Sequence, residues 1–146
     1  MTDWRNVWNN QKTYVNTYIL SALPYCSGHI TFGFWNTDTV FPNVHAYLIG
    51  DSPEMILDGY GNQTYDSKST WRLVYRMLAT DNPSNDYIAL MSGVGALANI
   101  PMDHGIGGSW HKTYLDNVDL NYVSPGIAEA VVLEGAVDIV LVSEAH

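Results

Sequence analysis

The sequence predicts an α+β domain in which two helices pack against a mainly antiparallel sheet. In two segments, apolar residues recur at steps of three and four, which is typical of amphipathic helices. Other segments alternate between apolar and polar residues, which is typical of strands with one buried face. Along the chain the predicted order is helix, two strands, a polar arm, a strand, a helix and two strands.

The N-terminal segment predicts a helix over residues 3–22, ended by Pro24. Its periodic positions are Trp4, Val7, Trp8, Gln11, Val15, Tyr18, Ile19 and Ala22. Two strands are expected next, over 29–36 and 43–49, and the short turn-rich connection between them predicts a hairpin. In the second strand, Val44, Ala46 and Leu48 face one way and His45, Tyr47 and Ile49 the other.

Residues 50–69 are too long and too polar for a simple turn, which predicts a projecting arm or an extended hairpin. The segment contains the apolar island Met55-Ile56-Leu57, together with Tyr60 and Tyr65. An exposed cluster of this kind is a candidate interface. The alternative is that the island folds back onto the core.

The second half begins with a strand over 70–79, followed by a helix over 84–98. Gly93 and Gly95 indicate close packing rather than a phosphate loop, because the expected lysine and preceding strand are missing. Residues 101–112 predict a glycine-rich loop, and residues 113–123 predict a strand with Val118, Leu120 and Tyr122 facing inward. The segment over 128–144 is predicted to be one strand bulged at Gly135, or two strands that meet there.

Length and composition predict a single domain over residues 1–146. No apolar stretch approaches the roughly 18 residues that a membrane span needs, so no membrane contact is expected. Cys26 is the only cysteine, which fits a reducing compartment, and residues 1–5 lack the pattern of a signal peptide.

Charge is the most informative bulk property, with fifteen acidic against six basic residues and a net charge of −9. Residues 77–146 contain nine acidic residues and Lys112 as their one basic residue. Such a chain lacks the basic patch that binding to DNA phosphates requires. The acidity serves solubility, or it keeps a surface near nucleic acid without binding it.

The residues with reactive side chains form no convincing site, and no catalytic residue, metal or cofactor is predicted. Asp103, His104 and His111 are the only local cluster, and their spacing matches no zinc pattern. Ser109 lacks the flanking glycines of a nucleophile elbow. Cys26 and His29 are a weak signal for an activated thiol.

The order of elements gives the chain a resemblance to a known family. The motifs that carry it are Phe41-Pro42-Asn43-Val44-His45-Ala46-Tyr47-Leu48-Ile49-Gly50, Thr70-Trp71-Arg72-Leu73-Val74-Tyr75, Ala98-Asn99-Ile100 and Gly135-Ala136-Val137-Asp138-Ile139-Val140-Leu141-Val142. With these, the chain resembles the tail terminator (minor tail) proteins of long-tailed bacteriophages, of the lambda type. The loop at 101–112 is longer and richer in glycine than that family leads one to expect.

The resemblance implies a structural virion protein at the neck end of the tail, assembled in the host cytoplasm. Copies would form a hexameric ring that ends tail-tube polymerisation, contacts the tail tube protein and the head-completion (neck) protein, and lets DNA pass without specific binding. The interface candidates are Met55, Ile56, Leu57, Tyr60, Tyr65, Ile106 and Trp110. Two alternatives stay open: another neck or tail-tube component, and a small enzyme that uses Asp103, His104 and His111.

Overall fold

A computed structural model describes residues 4–33, 35–57, 59–61, 63–101, 110–125 and 131–143. In these ranges the elements are α1 (Trp4–Ala22), a 3₁₀ turn (Pro24–Cys26), β1 (Ile30–Phe32), β2 (Asn43–Leu57), β3 (Gln63–Leu78), α2 (Pro83–Ala98), β4 (Trp110–Pro125) and β5 (Val131–Ser143). The described strands form one sheet in the order β1-β2-β3-β5-β4. The predicted α+β class is confirmed.

The sheet is antiparallel except at β1, which pairs in parallel with β2 through Ile30↔Val44. The predicted hairpin between these two strands is therefore wrong, and β1 is shorter than the predicted strand. Turn-forming residues indicate a loop but not its direction. Here Asn36 accepts a hydrogen bond from the Asp38 amide (2.9 Å) and donates one to Asn43 (3.0 Å), so the loop folds back onto the start of β2.

Both helices pack on the same face of the sheet. Alternate residues of three neighbouring strands lie opposite one another there, as in the row Ala46↔Leu73↔Val137. The buried core side chains of the helices are Val15 and Ile19 of α1 and Leu90, Val94 and Leu97 of α2. The alternation predicted for β2 is thus confirmed, because Val44 and Ala46 belong to this core, as do Trp71, Leu73 and Tyr75 of β3.

The start of α2 is fixed by side chains that bind backbone N–H groups. The Asn82 side chain accepts a hydrogen bond from the Asn85 amide at 3.1 Å, and Pro83 occupies the first helical turn. The buried Asp86 carboxylate accepts hydrogen bonds from both the amide and the hydroxyl of Thr80, each at 2.8 Å. These contacts explain why a helix predicted from residue 84 begins at 83.

Two glycines allow α2 to lie close to the sheet. A Cβ at Gly93 would collide with the Tyr75 ring, and one at Gly135 would collide with Val94. Close packing at Gly93 is confirmed, whereas a Cβ at Gly95 would meet nothing within 4 Å. The predicted bulge at Gly135 is wrong: β5 is one strand that pairs through this residue with both neighbours without interruption. Its missing side chain makes room for the helix instead.

Several sequence-based placements differ from the structure. Three apolar residues of α2, Tyr87, Ile88 and Met91, are 50%, 61% and 39% exposed, because Leu90, Val94 and Leu97 supply the buried face of the helix. Val118, predicted to face inward, is 41% exposed. β4 begins at Trp110, so the last three residues assigned to the glycine-rich loop belong to a strand. Backbone pairing with β5 overrides the loop-like composition before it.

Candidate functional site

One end of the β2–β3 hairpin extends past its neighbouring strands. The two strands pair as far as Leu57↔Gln63. However, β1 pairs with β2 only up to Ala46, and β5 pairs with β3 only from Ser67 onward. Beyond these points the two strands pair only with each other among the described residues. We call the described residues 54–57, 59–61 and 63–66 the distal hairpin.

The described side chains of the distal hairpin include two large exposed apolar groups. Met55 is 50% exposed and Tyr60, in the turn, is 94% exposed. Gly61 next to it has a φ of +82°, the left-handed conformation that a tight turn takes most easily with glycine. An isolated two-stranded ribbon is marginally stable in water. A partner that covers this end would therefore stabilise the hairpin and bury apolar surface.

Five of the seven predicted interface residues lie together in the distal hairpin: Met55, Ile56, Leu57, Tyr60 and Tyr65. The backbones pair as Met55↔Tyr65 and Ile56↔Thr64; for Ile56, Leu57 and Tyr65 only the backbone is described. Trp110 lies apart from them, at the start of β4 opposite Ser143. Ile106 lies outside the described residues.

A buried polar network joins the base of this hairpin to α1, and the sequence did not indicate it. Gln11, which is 0% exposed, donates from Nε2 to Ser69 Oγ at 2.7 Å and accepts at Oε1 from Trp71 Nε1 at 2.8 Å. Ser69 Oγ in turn donates to Asp51 Oδ2 at 2.7 Å. The available sequence signal was Gln11 itself, an amide among the mostly apolar periodic positions of the predicted helix. The network fixes the hairpin base against the helix.

A polar groove of about 600 Å³ lies between α1 and β1. It is lined by Asn9, Lys12, Thr13, Asn16, Ile30 and Phe32. The Lys12 Nζ lies 5.1 Å from the centroid of the Trp8 ring and 5.3 Å from that of Phe32, within reach of cation–π attraction. No carboxylate forms an ion pair with Lys12 among the described residues. We call this the N-terminal groove.

On the opposite face of the sheet, His45 lines a second pocket of about 270 Å³. Thr31 Oγ1 donates to Asn36 at 3.2 Å, so the 3.0 Å contact with His45 Nδ1 is donated by the imidazole. Nε2 is then an acceptor, and it forms no hydrogen bond with a described residue. Burial is the largest effect on the pKa of His45 and lowers it; the Gly33 backbone acts to raise this pKa, and the nearby Arg76 guanidinium acts to lower it. Among the described residues, the His45 imidazole therefore has a hydrogen-bond partner at one nitrogen only.

The same face carries two ion pairs between β3 and β5. Arg72 donates from Nε and Nη2 to both oxygens of the buried Asp138, at 2.8 and 2.9 Å, and these hydrogen bonds raise the pKa of the guanidinium. Arg76 Nε lies 3.3 Å from Glu134 Oε2, close enough for an ion pair but without the geometry of a hydrogen bond. Two carboxylates of the acidic second half are therefore paired with arginines and contribute little to its surface charge.

The geometry around Cys26 does not suit a nucleophile. The thiol is fully buried, and burial raises its pKa to about 11, so it is protonated at neutral pH. His29 binds Asp38 instead, with 3.0 Å between Nδ1 and Oδ2. His29 thus binds a carboxylate and not the Cys26 thiol, so the two residues do not form an activated pair.

The cluster considered for an enzyme falls largely outside the described residues. This applies to Asp103 and His104 and to Ser109, while His111 is described only as backbone in β4. Within the described ranges, no group of three or more His, Cys, Asp or Glu side chains is placed to hold a metal ion. None of the described helices is both long and apolar enough to span a bilayer.

No known protein family and no curated protein matches the chain. Among solved structures, the chain is similar to a chain in the virion of a native gene transfer agent particle, with 8% sequence identity and a TM-score of 0.44. That similarity covers 89% of this chain and 92% of the other. A similarity this weak carries no argument about function, which must come from the residues and their geometry.

Proposed function

We propose that the protein is a structural component of a virion that acts as a tail terminator. Copies form a ring that caps the tail tube, ends its polymerisation and offers a joining surface to the head or neck. The observation that carries this proposal is the distal hairpin, a two-stranded extension of the sheet with exposed Met55 and Tyr60. Such an extension suits contacts between subunits better than it suits chemistry on a small molecule.

The geometry of the sheet is compatible with ring closure. A ring requires a head-to-tail contact between two different surfaces of the same chain, with a rotation that closes. The sheet ends at β1 on one side and β4 on the other among the described strands, and edge strands can pair with a further chain. The order of elements that underlies the resemblance to tail terminators is compatible with the same assembly.

The charge distribution suits a protein that DNA passes without specific binding. Asp116 and Asp119 are exposed on β4, in the acidic second half of the chain. If this strand faces the lumen of the ring, its carboxylates repel DNA phosphates and lower the affinity for the duplex. A ring structure with β4 on the outer wall would overturn this part of the proposal.

Native mass spectrometry and negative-stain imaging of the purified protein test the proposal. A closed hexamer that binds the ends of isolated tail tubes supports a terminator. Open polymers favour the alternative of a tail-tube component. A monomer or dimer that binds no tube end contradicts both.

A paired substitution tests the role of the distal hairpin. Met55→Asp with Tyr60→Asp places two charges on exposed positions, so the fold is expected to survive while tube capping is lost. Val40→Asp is the matched control, because Val40 is 51% exposed in the loop before β2. Capping that survives the double substitution would show that the interface lies elsewhere.

A further inference from the structure

We propose that the pocket next to His45 binds a planar primary carboxamide. The amide N–H donates to His45 Nε2, and the amide oxygen accepts from Arg76 Nε. The site lies on the face of the sheet opposite the helices, at the base of the β2–β3 hairpin. It goes beyond the proposed assembly and does not depend on it.

The first argument is that two buried nitrogens in this pocket form no hydrogen bond with a described residue. His45 is 5% exposed, and its Nε2 is one of them. The other is Arg76 Nε, whose contact with Glu134 lacks the geometry of a hydrogen bond. A buried polar atom without a partner is costly, and native proteins keep few of them. A ligand that pairs with both nitrogens removes this cost.

The second argument is that the two nitrogens have opposite hydrogen-bonding roles. His45 Nδ1 donates to Thr31, so Nε2 of the neutral ring is an acceptor, whereas Arg76 Nε is a donor. His45 is opposite Val74 in the pairing of β2 with β3, so Arg76 is its diagonal neighbour on the same face. A ligand that bridges them needs a donor and an acceptor side by side, as on the edge of a primary carboxamide.

The third argument is the remaining lining of the pocket, which has a volume of about 270 Å³. Trp35 is 73% exposed, and its flat ring offers a surface on which a planar group can stack. Val74 adds apolar surface. Glu134 places a carboxylate beside Arg76, which repels an anionic ligand. The lining therefore favours a neutral planar amide over a carboxylate.

Entry of the ligand requires a side chain of the lining to move, because both nitrogens are closed to solvent. Trp35 is suited to this movement, since exposed side chains change rotamer within nanoseconds. The loop around it is held in place, because the neighbouring Asn36 accepts from Thr31 at 3.2 Å and donates to Asn43 at 3.0 Å. We therefore expect the Trp35 ring to turn aside for the ligand and then to cover it.

Two-dimensional NMR of the isotope-labelled protein tests the site with three small probes. Benzamide carries the carboxamide on a planar ring, benzyl alcohol carries a hydroxyl instead, and benzoate carries an anion. Benzamide is expected to shift the Trp35 indole N–H and the backbone amides of Tyr47 and Val74, with an affinity at least about tenfold above that of the other probes. Equal affinities for the three probes would overturn the proposal. So would the absence of any shift at millimolar benzamide, which would indicate a pocket that holds water only.

Substitutions assign the binding to named groups. Arg76→Met keeps an unbranched side chain but removes the donor, and Trp35→Ala removes the stacking surface. Each is expected to weaken benzamide binding by about tenfold or more. Val40→Ala is the matched control, because Val40 is 51% exposed in the same loop and does not line the pocket. Circular dichroism melts check folding, and unchanged affinity in either folded variant would overturn the proposed binding mode.

Two tripeptides with blocked ends distinguish the possible sources of the carboxamide. Gly-Gln-Gly and Gly-Met-Gly have the same backbone amides, but only the first has a side-chain carboxamide. Tighter binding of the glutamine peptide supports a side chain of a partner protein as the ligand. Binding of benzamide with no difference between the peptides supports a free aromatic amide. Failure of all these probes would overturn the site and leave tube capping to be judged separately.

Discussion

Strands β2 and β3 run without interruption from a base, where β1 and β5 flank them, to the distal hairpin, where they pair only with each other among the described residues. At the base, Ala46 and Leu73 are opposite each other, fully buried beneath the helices and flanked by other strands. At the distal end, Met55 and Tyr65 are also opposite each other, yet Met55 is half exposed. The comparison teaches that the neighbouring strands, rather than strand pairing itself, decide which part of the hairpin is framework and which part is surface.

The largest expected effect is at the base. Leu73→Ala removes a fully buried side chain in the centre of the core and should lower the free energy of unfolding by about 2–5 kcal/mol. Urea or thermal denaturation followed by circular dichroism measures this. A loss below about 1 kcal/mol would mean that the base is not the rigid part of the hairpin.

The next effect concerns the junction between the base and α1. Gln11→Ala removes a buried amide and leaves Trp71 Nε1 without its acceptor, which should cost about 1–3 kcal/mol. Asn10→Ala on the exposed side of the same helix is the control, expected within about 0.5 kcal/mol of wild type. Equal losses for both variants would contradict a network that fixes the hairpin.

A pH-dependent effect is also expected at the base. Burial lowers the pKa of His45 in the folded state below its unfolded value of about 6.5. The folded state therefore binds this proton less readily, and stability is full above about pH 6.5 and falls as the pH drops towards and through the folded pKa. Between pH 7.5 and pH 5, the melting temperature of His45→Gln should fall less than that of the wild type. An equal or greater fall would contradict the lowered pKa of His45 as the cause.

The smallest effect on stability is expected at the distal end. Met55→Ala and Tyr60→Ala change exposed side chains and should leave the free energy of unfolding of the isolated protein within about 0.5 kcal/mol of wild type. The same variants should weaken assembly if the hairpin is an interface. A destabilised monomer would instead indicate that the island folds back onto its own core.

Local periodicity predicted the helices and most strands, because a segment with one buried face shows it as a regular apolar–polar pattern, as in Trp71-Arg72-Leu73. It did not predict the parallel pairing of β1, which depends on the path of the loop containing Asn36 and Asp38. Nor did it predict that Gly135 faces Val94, since that contact joins residues distant in the sequence.

The candidate site was predictable only in part. The apolar island and Tyr60 were found because they are contiguous in the sequence. The N-terminal groove was missed, because Lys12 and Ile30 come from separate elements and meet only in the folded chain. The role of Gln11 was likewise hidden, since its partners Ser69 and Trp71 lie about sixty residues away.

The irregularity at Ile49 separates these two ends of the hairpin. The pairing shifts between Leu48↔Trp71 and Gly50↔Thr70, so β2 contains one residue more than β3 at this point. An extra residue bends a strand and increases its local twist. Deleting Ile49 would therefore keep every cross-strand partner on both sides and change only the direction in which the distal end points. A one-codon deletion would thus change the direction of the proposed binding surface while its backbone pairing is kept.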